Sequence, residues 1–126
     1  MRRIIAAIIL TFMIVAVGLT GRYLTNQSIY YIQMSMKKID TALSDGNEKE
    51  ALQVCNNFLQ QWEKHHGRLC MFLQHEHLDP IENIISVLPF YIEKGDSIPA
   101  QAECRTVISI TEHILKTERV SLENIL

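Results

Sequence analysis

Four of the five histidines and the single tryptophan of this 126-residue chain lie between Trp62 and Glu82, and specific chemistry would start there. His75, His77, Asp79 and Glu82 place two imidazoles and two carboxylates within eight residues, the donor types that hold zinc, nickel or copper. Helical geometry works against their convergence. Side chains two residues apart on a helix point about 200° from one another, so His75 and His77 chelate together only where a helix has ended. The HExxH pattern of zinc hydrolases is missing, because Glu76 is followed directly by His77. The plainer reading makes His77 a surface residue and gives His75 a polar partner across the fold, Glu82 or Glu112. Cys70 and His66, one helical turn apart, are the only local pairing of a nucleophile with a base. A pair at that spacing arises readily by chance and lacks an orienting third group. His65 and His66 border an apolar stripe, where imidazoles act as pH switches less often than as boundary residues. No catalytic residue and no cofactor are therefore assigned.

The charges exclude one large class of function. Arg2 and Arg3 precede an apolar run, which leaves ten basic against fourteen acidic residues in the remainder, a net charge of −4. A nucleic-acid surface needs clustered Lys and Arg, and Lys37-Lys38 is the nearest approach to one. Three cysteines, Cys55, Cys70 and Cys104, make no CxxC and each falls in an apolar helical pattern. On a shared helix Cys55 and Cys70 are about 22 Å apart, so only a bridge to Cys104 is geometrically open.

The elements that must position these residues begin with the N-terminus. Met1-Arg2-Arg3 is followed by Ile4 to Leu19 without a charge, and the uncharged run extends to Gly21. That length is sufficient for a helix crossing about 30 Å of hydrocarbon. Residues 1–21 are read as a signal anchor, with residues 4–21 in the membrane and Tyr23 as an interfacial aromatic. Residues 22–126 form the domain. Two arginines before the span against one just after it put the N-terminus in the cytoplasm and the domain outside. Ala16-Val17-Gly18 also imitates a cleavage site, so a cleaved, secreted form is the alternative.

Beyond the anchor the apolar period is helical throughout. Ile29, Ile32, Met36, Ile39 and Leu43 form a narrow seam that needs a partner helix, within the chain or in a second copy. Asp45-Gly46 ends that run, and Asn47 with Glu50 is a capping box for the next. The second helix carries Ala51, Cys55, Phe58, Trp62, His65, Leu69 and Phe72 on one face, with Gly67 marking a bend or a close contact. It is expected to end near His77-Leu78, where Asp79-Pro80-Ile81-Glu82 supplies a cap and a first-turn proline. The third helix buries Ile81, Ile84, Ile85, Leu88 and Ile92, with Pro89 kinking it or ending it early. A fourth opens at Ser97 with Pro99 and buries Ala100, Cys104, Val107, Ile108, Thr111, Ile114 and Leu115. Ser121 reads as a fresh cap before a tucked Ile125-Leu126 tail. The fold class is all-α: an N-terminal transmembrane helix followed by an antiparallel bundle of about four helices.

With these residues in place the chain resembles the family catalogued as domain of unknown function 4363, found in clostridia-like Firmicutes. The likeness rests on the N-terminal anchor, Trp62 to His75 in W-E-K-H-H-G-R-L-C-M-F-L-Q-H, Leu78-Asp79-x-Ile81-Glu82, and the closing Ser121-Leu122-Glu123-Asn124-Ile125-Leu126. It implies a membrane-attached bacterial envelope domain of helices, brings no catalytic residue with it, and makes Trp62, His75 and Asn124 stand out. The expected role is that of an extracytoplasmic interaction or scaffold module in the cell membrane, with Trp62, His75, Glu82 and Asn124 as its structural or interaction residues. A metal-binding sensor or enzyme built on His75, His77, Asp79 and Glu82 is the competing reading.

Overall fold

The computed structural model describes residues 1–125, apart from the side chains of Ser121, Leu122 and Ile125. It contains α1 (Arg2–Ser44), α2 (Glu48–Phe72), α3 (His75–Glu93) and α4 (Ser97–Ile125), and no strand among the described residues. Each helix packs on two neighbours, α1 on α2 and α4, and α3 on the same two. The result is a closed four-helix ring. The apolar N-terminal segment and the first bundle helix are one uninterrupted helix rather than two. Residues 1–20 are all exposed, and burial begins at Gly21. Within the apolar half the hydroxyls of Thr11 and Thr20 bond the carbonyls of Ala7 and Ala16, at 2.9 and 2.8 Å, so they present no free donor outward.

The five seam residues Ile29, Ile32, Met36, Ile39 and Leu43 are at most 5% exposed. They are covered by the chain itself, and pairing with a second copy through them would require the bundle to open. Cross-helix hydrogen bonds fix the register of α4 on α1: Gln33 Nε2 donates to Thr111 Oγ1 at 3.0 Å and Gln101 Nε2 to Ser44 Oγ at 2.7 Å. All three cysteines are free, so Cys104 bridges neither of the others.

Two turns of the same design close the far end of the bundle. After α1, Gly46 (φ 74°) donates to Leu43 O and Asn47 donates to Ala42 O. After α3, Gly95 (φ 76°) donates to Ile92 O and Asp96 to Tyr91 O. Both are Schellman motifs, whose left-handed residue favours glycine. The Asn47 cap forms as expected, with Oδ1 accepting from the Glu50 N–H at 3.2 Å and Nδ2 donating to the Glu50 carboxylate at 2.9 Å.

The near end departs from the sequence reading. Helix α2 stops at Phe72, five residues earlier than expected, and Leu73 and Gln74 take extended backbone before α3 starts at His75. Proline 80 is thus interior to α3 rather than its first residue. Its missing N–H falls on the Glu76 carbonyl, and both residues are exposed, so water can take that bond. Turning early lets Leu78 and Ile81 reach full burial, while Phe72 crosses α1 where Gly21 has no side chain; a β-carbon there would overlap the ring. Helix α3 also runs through Pro89 to Glu93, held by the buried Leu88 and Ile92 on either side. Helix α4 continues past Ser121, so no new helix starts there, and the Ile125-Leu126 tuck lies outside the described residues.

A β-carbon at Gly67 would meet no atom of another element within 4 Å. Neither a close approach nor an unusual backbone angle requires glycine. Gly67→Ala is expected to raise stability by about 1 kcal/mol through helix propensity and a less flexible unfolded chain, measured as a higher urea midpoint.

Candidate functional site

The early end of α2 is what assembles the only mixed histidine–cysteine cluster found among the described residues. His66 and Cys70 stand one turn apart on the last two turns of α2, and the two-residue break returns His75 to the same corner. Cys70 Sγ lies 3.5 Å from His66 Nε2 and 3.7 Å from His75 Nδ1. One donor atom from each of the three residues falls within 4.8 Å of the other two. Glu82, on α3, puts Oε2 3.8 Å from His66 Nε2.

The four residues named from sequence therefore separate. His75 joins the cluster and Glu82 flanks it. His77 and Asp79 do not, for the geometric reason given above: α3 begins at His75, so His77 is already helical and faces the other way. His77 is half-buried in a cleft toward His113 and Ile114 of α4, and Asp79 is exposed. The expected partner of His75 was Glu82 or Glu112; its contact is Cys70, and the imidazole beside Glu82 belongs to His66. His66 and Cys70 were paired in sequence as nucleophile and base, and the missing signal was the position of the helix break that adds His75.

The cluster is backed by aromatic side chains. Trp62, 7% exposed, sets its ring 5.5 Å from His66 and 5.8 Å from Phe58. Tyr31 of α1 stacks on both Phe58 and His65, the latter at 4.3 Å, and His65 shares a hydrogen bond of 3.0 Å with Ser28. Burial and the neighbouring Arg68 and Lys64 hold His65 below the usual imidazole range. His65 thus fastens α2 to α1, and His66 is left to face Cys70. Burial pushes the Cys55 thiol up to about 11 and, with the Asp40 carboxylate nearby, the Cys104 thiol up to about 12. Asn124, the remaining residue singled out from sequence, is exposed near the end of α4.

Chemically, one thiol between two imidazoles suits metal ligation better than nucleophilic catalysis. A thiol nucleophile uses a single base. Zinc takes thiolate and imidazole ligands together in four-coordinate sites.

The family model described as domain of unknown function (DUF4363) matches residues 19–125. The chain belongs to the DUF4363 family. That domain takes in the whole bundle and every residue of the cluster, and it begins in the last turn of the apolar run. No curated protein and no solved structure matches the chain.

Proposed function

We propose that this DUF4363 chain is a single-pass membrane protein whose helical bundle stands outside the cytoplasm as an interaction or scaffold module. The observation that carries the reading is the exposed first half of α1. Ile4, Ile5, Ile8, Ile9, Phe12 and Ile14 are each more than half exposed, and no other helix covers them. An apolar helix of this length is near the N-terminus and long enough to cross a bilayer. Eighteen residues, 4 to 21, rise about 27 Å, which matches the hydrocarbon thickness. Arg2 and Arg3 on one side and the exposed Tyr23 on the other suit the two interfaces. Support for a binding role comes from Val87, Phe90 and Ile98, large apolar side chains left 40, 63 and 82% exposed on the bundle.

A fusion of alkaline phosphatase to the C-terminus tests the topology. Activity in intact cells, with the protein in the membrane fraction, is expected. An inactive fusion whose fluorescent-protein counterpart glows would reverse the orientation. A second reading has its own observation: burial starts only at Gly21, so cleavage after Gly18 would leave the bundle whole. The intact mass of the purified chain separates the two, and loss of the first eighteen residues would make it a secreted protein.

A further inference from the structure

We propose that His66, Cys70 and His75 form a binding site for a thiophilic divalent transition ion, with zinc(II) as the best-fitting probe. The site does not depend on the membrane reading.

Distances come first. In a tetrahedral site with sulfur about 2.3 Å and nitrogen about 2.0–2.1 Å from zinc, sulfur and nitrogen ligands lie about 3.6 Å apart. The observed separations are 3.5 Å from Cys70 Sγ to His66 Nε2 and 3.7 Å to His75 Nδ1. Donor atoms from all three residues lie within 4.8 Å of one another, so small rotations close the remaining gap between the imidazoles. Accessibility follows: His66 and Cys70 are half-buried and His75 is exposed, leaving a path for the ion. The Glu82 carboxylate lies 3.8 Å from the His66 nitrogen and adds an acidic neighbour to the cluster. Support behind the ligands is also in place, because the Trp62 ring lies against His66 and limits its rotation.

Ligand type selects the class of ion. Thiolate and imidazole suit zinc and its neighbours, whereas calcium and magnesium want oxygen ligands. A bound ion would tie the last turn of α2 to the first turn of α3 across the Leu73-Gln74 break. The sequence signature is His-x3-Cys-x4-His, with the break supplying the reversal that a continuous helix forbids.

The test uses the full chain in detergent micelles, without a histidine tag and stripped of metal. Zinc titration against a chromophoric chelator is expected to find one site with a dissociation constant below about 1 µM. Cobalt(II) should give the visible bands of tetrahedral coordination with a thiolate charge-transfer band, and should quench the fluorescence of Trp62. Zinc should raise the melting temperature by roughly 5–10 °C and protect Cys70 from alkylation. Cys70→Ser should remove the charge-transfer band, and His75→Ala should weaken zinc by about 100-fold. Because His75 is exposed, the metal-free melting temperature of His75→Ala should match the parent, which shows that the fold is intact. His77→Ala, two residues away on the opposite face, should bind as the parent does. Absence of micromolar binding by the parent would overturn the proposal. So would a Cys70→Ser variant with unchanged affinity, or a His77→Ala variant as weak as His75→Ala.

Discussion

Replacing Trp62 with alanine is expected to cost about 3–5 kcal/mol, the usual range for removing a large aromatic from a packed core. Domains of this size hold about 5–15 kcal/mol in all, so the melting temperature should fall by roughly 10–20 °C. The position supports the upper part of that range. Trp62 is buried between Phe58 and His66, and both would lose ring contacts at the corner where α2 ends. Trp62→Phe separates packing from polarity. The indole Nε1 is buried with no hydrogen-bond partner, so phenylalanine keeps much of the apolar contact and removes an unsatisfied donor. We expect a loss below about 1.5 kcal/mol for that variant. Thermal unfolding of both variants beside the parent gives the comparison. Equal losses would mean that the indole nitrogen bonds an ordered water that the core relies on.

The second large effect concerns the first half of α1. Residues 4–19 contain ten Ile, Leu, Phe and Val side chains. At about −0.3 to −0.6 kcal/mol each, they favour insertion by roughly 3–6 kcal/mol. One arginine near the centre of the span opposes this by about 2.5–3.5 kcal/mol, and two by about twice that. Met13→Arg alone should therefore leave a partly inserted population. Combined with Ile9→Arg, it should move the chain to the soluble fraction and silence a reporter that works only outside the cytoplasm. The bundle should still fold, because residues 1–20 are exposed and add nothing to its core. Circular dichroism of the soluble double variant checks this. Retention in the membrane fraction despite two arginines would mean that the bundle itself binds lipid.

Much of the fold was legible because its signals are local. Asp45-Gly46-Asn47 with Glu50 specifies a left-handed residue and a cap by residue type alone, and Ser97-x-Pro99 marks the start of α4. The apolar stripes on α2, α3 and α4 were readable for the same reason: period and burial are two views of one geometry. The break after Phe72 was not legible. Leu73 and Gln74 carry no turn chemistry, whereas Asp79-Pro80 carries a strong but unused start signal. The break is set by tertiary contacts that no window of sequence contains, namely Phe72 over Gly21 and the full burial of Leu78 and Ile81. The candidate cluster was half visible for that reason. His66 and Cys70 follow from helical spacing, but His75 reaches them only because the chain turns two residues before it.

The unbroken course of α1 has a mechanical consequence. The far turns at Gly46 and Gly95 stand about 37 Å beyond Gly21, given a rise of about 1.5 Å per residue, with no hinge in between. Membrane helices commonly lean about 20° from the bilayer normal. Transmitted through a stiff helix, that lean carries the far end about 13 Å sideways. On the membrane reading, a change in bilayer thickness or in the company of the anchor becomes a lateral swing at the outer tip, as with a lever pivoting at the lipid surface.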